Sequence, residues 1–363
     1  MSKLKNKILL IVSLIMIITI SICNNAIVIK AISNGIKTET IEVGVVLNNF
    51  YNPYNLSIKK SLEDIAKENN NNVKFTFFDG KGNEAIENEL VGKMFNENYK
   101  LLLVAIVDKR SSELVSNFVS KAKNKNVPII FINTTPADID VLNGYTKALA
   151  INTDSIQAAT LQGKLIVDAW NTNKKSMDKN NDDILQYILI QGEPESYAAI
   201  VRNQYVIQTI NNARIKTEEL AKISANWNSD IAEAAIQPLF FRYGDKIEAI
   251  ISNNDSMAIG TIKALQKYGY NKGNKIKTIP VFGIGAVSEA QELIKKGFMA
   301  GSVLQNPRLL AEALYTVGMN LILNKLPLEG TNYKFDKRGK IILIPFEEYK
   351  GQDKSLSQID LGF

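Results

Sequence analysis

Along most of this chain, short apolar runs alternate with stretches whose apolar residues recur every three or four positions. IEVGVVL (41–47), VKFTFF (73–78), LLLVAIV (101–107) and VPIIFIN (127–133) each fit a strand. Between them Ile58, Leu62 and Ile65 fall on one helix face, a second helix is predicted around 84–97, and SSELVSNFVSKAKNKN gives a third with Ser111 as its cap. LLLVAIV is apolar at every position, as a strand covered on both faces should be. Asn69–Asn72 is a polar turn. The order then begins again: a helix near 155–170, strand 184–190, a helix near 197–212, strand 247–252, a helix near 256–268 and strand 278–284. Such alternation predicts parallel strands with helices on both faces. Two runs of it predict an α/β protein of two doubly wound parallel-sheet lobes.

The first 31 residues break the pattern. Lys3, Lys5 and Lys7 precede an almost unbroken apolar run from Ile8 to Cys23. The run falls somewhat short of the roughly 20 residues of a spanning helix and suits an export signal. Cleavage after Ala31, acylation of Cys23, or retention as an anchor extended through Ile27–Ile29 would each place the body outside the cytoplasm. Ile22 is a poor residue to precede an acylated cysteine. The predicted location is periplasmic or on the outer face of the cytoplasmic membrane.

Length and charge narrow the function. A chain of 363 residues fits two domains better than one. Lys and Arg number 43 against 37 Asp and Glu, but Lys3, Lys5, Lys7 and Lys30 meet no acid in the leader, and without them the balance is 39 against 37. A nucleic-acid binder would carry its excess on the folded body, so no nucleic-acid partner is expected. Histidine is absent and Cys23 is the one cysteine, which removes the usual general base, disulfides and Cys/His metal sites from the body. No G-x-S-x-G, P-loop or Cys/His pair is present, and GIGAVS (283–288) lacks the third glycine of a dinucleotide turn. The chain is not expected to be an enzyme.

Five segments and two single residues in order, IEVGVVLNNFYNPY (41–54), VPIIFIN (127–133), ILIQGEPES (188–196) with Arg202, Trp227, IEAIISNNDSMAIG (247–260) and IPVFGIGAVSEA (279–290), resemble periplasmic binding proteins of the glucose/galactose class. The resemblance runs from Ile41 to Pro345. It implies the type I fold of that family, with three hinge crossovers near Thr153, Pro307 and Ile344. The lobes would be 41–152 plus 308–343 and 154–306 plus 346–363, after a signal peptide or membrane anchor over 1–31. It also implies a sugar closed between the lobes, a monomer, and a membrane permease of an ABC importer as partner. A membrane-attached sensing subunit for a histidine kinase or chemoreceptor is the alternative. A sugar-responsive repressor would need a helix-turn-helix where the leader stands.

Asp178, Asn180, Asp182, Ile184 and Gln186 occupy alternate positions of a nine-residue loop, the oxygen-ligand spacing of a calcium loop, with the Ile184 carbonyl at the seventh position. In the family a distant glutamate completes the shell, and Glu248 matches it. Calcium is the expected cofactor. Asp183 stands where a glycine usually makes the sharp turn. In the sugar site, Trp227 and Tyr54 match the family's aromatic sandwich, and Asn133, Arg202 and Asn254 match polar ligands. Asn52 and Gln305 replace an Asp and an Asn, Ser196 replaces a His, and Ala198 and Gly285 replace two aspartates. The expectation is therefore a modified or acidic sugar, or weak hexose binding, because charge-assisted acceptors contribute about 1.5–3 kcal/mol each.

Overall fold

The computed structural model describes residues 40–106, 112–133, 138–274 and 276–349. The leader, Ser111, Val107 and the end of the expected second lobe beyond 349 lie outside them. Two sheets organise the rest. The first half runs β1 (Ile41–Leu47), α1 (Pro53–Glu68), β2 (Val73–Asp79), α2 (Glu84–Met94), β3 (Leu101–Ala105), α3 (Ser112–Lys125), β4 (Ile129–Ile132) and β5 (Ala148–Thr153). It continues with α4 (Ser155–Met177), β6 (Ile184–Gln191), α5 (Tyr197–Asn212), β7 (Lys216–Ser224), α6 (Ser229–Tyr243), β8 (Ala249–Ser252), α7 (Asp255–Lys267), β9 (Val281–Gly285), α8 (Ser288–Lys295) and β10 (Gly301–Leu304). Last come α9 (Pro307–Ile322), β11 (Ile341–Ile344) and the two-residue β12 (Glu347–Glu348).

The sheet orders are β11-β5-β4-β3-β1-β2 and β12-β10-β9-β8-β6-β7. The chain passes from one sheet to the other three times: between β5 and α4, between β10 and α9, and between β11 and β12. The two α/β sheets agree with the expected fold class, and one detail departs from all-parallel pairing: β12 runs antiparallel to β10.

Alternating side chains explain the layering. On β3, Leu102 and Val104 face a cluster with Val115, Phe118 and Val119 of α3, while Leu101 meets α9 at Gly318 on the opposite face. The second sheet is covered likewise, by Ile166, Trp170, Val206 and Ile210 of α4 and α5 on one side. Ala232, Ile236, Ala258, Ile262 and Leu265 of α6 and α7 cover the other.

Several elements extend or shorten the expected ranges. The fourth strand is confined to Ile129–Ile132, β8 begins at Ala249 and β9 at Val281. Pro128 and Pro280 explain two of these starts, since proline cannot donate to a ladder. Strand β7 was not expected, because KTEELAKIS is an edge strand with half its residues exposed and no apolar run.

Gln162 of α4 is fully buried, and its Nε2 donates to the carbonyls of Ser252 (2.8 Å), at the end of β8, and of Gly283 (3.2 Å) and Phe282 (3.3 Å), within β9. Gln162→Leu removes that donor and leaves these carbonyls without it. The expected cost is about 1–3 kcal/mol, read as a lower midpoint in urea denaturation.

Candidate functional site

Strands β1, β3, β4, β5 and β9 end on one cleft of about 330 Å³, within the range of small-molecule sites, about 300–1,000 Å³. All seven candidate residues line it: Asn52 and Tyr54 at the start of α1, Asn133 after β4, Arg202 on α5, Trp227 between β7 and α6, Asn254 before α7, and Gln305 after β10. Ala198 and Gly285 line it as well, whereas Ser196 is buried behind the wall with an unpaired Oγ.

Local backbone geometry aims the aromatic residues. Asn226 and Trp227 have φ of 50° and 62°, a left-handed turn that swings the indole off the end of β7. The ring lies so close on Gly192 that a Cβ there would overlap it, and its Nε1 donates to Glu193 Oε2 (3.0 Å). Tyr54 sits in the first turn of α1, with its hydroxyl buried and unbonded beside Gln305. Burial raises its pKa, so the phenol keeps its proton.

Arg202 is 5% exposed. One terminal nitrogen donates to the Asn253 carbonyl (2.6 Å), and the guanidinium carbon lies 5.7 Å from the Trp227 ring centre and 5.5 Å from that of Phe346. Its Nε has no partner. Burial pulls its pKa down to about 10, which leaves it charged at neutral pH.

Several acceptors of the cleft hold donors of the chain itself. Asn52 Oδ1 accepts from Tyr54 N (2.9 Å) and Asn254 Oδ1 from Met257 N (3.0 Å), both as helix caps. Asn133 Oδ1 accepts from Thr153 N (3.2 Å) and Oγ1 (3.3 Å). Of the lining carboxylates, Asp154 accepts from Gln157 N, and Asp336 from Ile341 N and Arg338 Nε. Asp255 accepts from Ser302 Oγ (2.6 Å) and Val287 N (2.9 Å). Asp255 is 1% exposed, and burial pushes its pKa up to about 6.

Sequence reasoning missed Asp255, Asn48, Asn55 and Phe346. Asn48 and Asp255 stand just beyond predicted strands, where ligands gather in open α/β sheets. That position was the available signal.

The loop after α4 folds on its own carboxylates. Asp178 accepts from Asp182 N (3.0 Å) and Asp183 N (3.2 Å), and Asp182 from Ile184 N and from the Asn180 and Gln186 amides (2.8 Å each). Glu248, 1% exposed, accepts from Lys179 N (2.7 Å) and Gln186 N (3.0 Å). Burial raises its pKa, and the Asp178 and Asp182 charges raise it further. Asp183 takes φ of 62° at the turn and pairs with Lys174. Gln186 Oε1 is buried without a partner. Among the described residues no three His, Cys, Asp or Glu side chains group closely enough to form a metal site by themselves.

Two facing α/β sheets with a polar cleft at their strand ends define a bilobed binding protein. Residues 43–326 match the periplasmic binding protein domain, and the chain belongs to that family. The D-galactose/methyl-galactoside binding periplasmic protein of Haemophilus influenzae is 31% identical over 313 residues, 86% of this chain and 89% of that protein. The D-allose-binding periplasmic protein of Escherichia coli is 24% identical, covering 73% and 79%. In structure, an ABC transporter solute binding protein of Bacillus halodurans with bound myo-inositol superposes with a TM-score of 0.68 at 21% identity, over 86% of this chain and 95% of that one. The chain is a binding protein of an exported family and not an enzyme. No helix among the described residues is long and apolar enough to cross a membrane.

Two outcomes follow from Asp255 and Gly285. Gly285 has φ of 142°, and a Cβ there would lie 2.9 Å from Asp255 Oδ2. Gly285→Asp therefore lowers the melting temperature instead of supplying a usable carboxylate. The unfolded Asp255 carboxyl ionises near pH 4 and the folded one near 6, so between those values the folded state holds the extra proton and stability falls as pH rises. Relative to Asp255→Asn, the wild type loses about 3 kcal/mol from about pH 4 to above 6, measured by urea denaturation across that range.

Proposed function

We propose that this protein is the sugar-binding component of an ABC importer, that it holds a sugar of the galactose/glucose type, plain or modified, and that it delivers the sugar as a monomer to a membrane permease. The observation that carries the reading is the convergence of Tyr54, Trp227, Arg202 and three asparagines on one cleft between two sheets joined by three passes. An aromatic face covers the apolar C–H side of a sugar ring, and amides and a guanidinium meet its hydroxyls. The H. influenzae relative, with its printed galactoside ligand, supports the hexose class. Relatives named for allose and ribose support the broader sugar class. Closure over a ligand would equally serve a membrane sensor kinase, but the import and transporter names among the relatives and structural neighbours support the permease.

Calcium belongs to the same proposal, held by Asp178, Asn180, Asp182, the Ile184 carbonyl, Gln186 and Glu248. The donor set is all oxygen, which suits a hard divalent cation. Glu248 is buried beside two further carboxylates, an arrangement a cation would relieve. Turning the Gln186 amide by half a revolution exchanges its bonded nitrogen with the orphaned Oε1. A bound cation would fix the α4–β6 turn to the head of β8.

A thermal-shift series with galactose, glucose, allose, ribose and myo-inositol tests the ligand class. At least one should raise the melting temperature, and Trp227→Ala should weaken its binding about a hundredfold. Removal of divalent ions with a chelator should lower the melting temperature, and Glu248→Gln should erase most of that difference. An unchanged melting curve with chelator counts against the calcium site.

A further inference from the structure

The cleft holds a buried cation, Arg202, with hydrogen-bonding capacity left open beside amides that can donate. Backbone N–H groups can only donate, so the atoms facing Tyr54 N, Met257 N and Thr153 N must be the oxygens of Asn52, Asn254 and Asn133. Asn133 Oδ1 already accepts two bonds, Asn52 and Asn254 Oδ1 accept one each, and all three residues offer a ligand N–H2 groups. Asn254 gives one N–H to the Trp227 carbonyl (3.3 Å) and retains the other. Arg202 adds a buried Nε–H with no partner; no carboxylate pairs with its guanidinium in direct contact among the described residues, and the nearby Asp255 acts on it only at longer range. Of the three lining carboxylates, Asp255 and Asp336 each accept two or more bonds from this chain, and Asp154 accepts one, at Oδ1. Helices α1, α4, α5 and α7 all begin on the cleft wall, so their positive ends add to the same sign.

A neutral sugar hydroxyl can meet the open Arg202 N–H but brings no charge to the buried guanidinium. A carboxylate or phosphate group only accepts, and charge-assisted bonds to it are about twice as strong as neutral ones. We propose that the ligand is a sugar carrying an anionic group, a carboxylate or a phosphate ester, with that group received by Arg202 and by the N–H2 groups of Asn52, Asn133 and Asn254. The inference rests on the sugar-site reading above and narrows it.

Calorimetry on the full-length chain tests it with D-galactose and D-glucose, the two corresponding uronates, the methyl esters of those uronates, and the two hexose 6-phosphates. The uronate arm and the phosphate arm distinguish the two sources of charge. At least one anionic sugar should bind about ten- to a hundredfold tighter than its parent hexose. If a uronate is that sugar, its methyl ester, larger by one methyl group and stripped of charge, should bind no tighter than the parent hexose. Arg202→Gln should remove the preference as well. The ester and parent-hexose comparisons use the unmodified protein and hold even if the variant fails to fold. Parent hexoses that bind as tightly as their anionic derivatives overturn the inference and leave the sugar-site reading standing. An ester that binds as tightly as its uronate removes the carboxylate form. Absence of binding by every sugar in the series overturns the sugar-site reading, and the inference falls with it.

Discussion

A helix that follows a parallel strand begins with N–H groups that have no partner in the helix, and this chain meets that need with short polar side chains. Asn52, Asn83, Asp154, Asn228, Asn254 and Asn306 all occupy N-cap positions and accept from the first turn. Parallel strands end on the same side of their sheet, so three of these caps, Asn52, Asp154 and Asn254, also line the cleft. Each cap turns its oxygen toward the helix. The asparagines then present N–H2 groups to a ligand, beside the second lone pair of the capping oxygen. The donors that Asn52 and Asn254 turn to the cleft are thus a consequence of how the chain changes from strand to helix.

The parts of the fold legible in the sequence are those whose side chains report their surroundings. LLLVA reads as a strand covered on both faces because no polar residue interrupts it, and α5 matches its expected limits, Tyr197–Asn212, because its apolar spacing ends where Ala213 and Arg214 turn away. Strand β7 is hidden for the opposite reason: an edge strand needs only one partner and half a face of apolar side chains. Likewise β5 (ALAINT) and β10 (GSVL) are short, built largely of small residues, and buried by their neighbours more than by their own hydrophobicity.

The candidate site divides along the same line. Its seven residues could be named because their order along the chain resembles a known family, and the cleft gathers all seven. Periodicity alone would not have selected Trp227, whose place depends on two consecutive left-handed residues and on the absence of a side chain at Gly192. Phe346 and Asp255 escaped for a different reason. Phe346 reaches Arg202 from the pass between β11 and β12, about 140 residues away in sequence, a relation that only the folded chain creates.

Burial of Arg202 shows how these features depend on one another. A guanidinium removed from water without a carboxylate partner is costly, by several kcal/mol in general. Two aromatic faces offset part of this, about 0.5–2 kcal/mol each, and the Asn253 carbonyl offsets more. Asn253 is itself held by the Asn203 amide, to which it donates (2.9 Å), and it accepts from Gly192 N, the glycine under the Trp227 ring. Trp227, Gly192, Asn253 and Arg202 therefore form one connected unit on the second sheet, and Phe346 attaches it to the third pass between the sheets. The cation is placed by packing and by a backbone carbonyl, with its Nε left open. That arrangement keeps the charge available to whatever enters the cleft, because no carboxylate of the protein has to be displaced first.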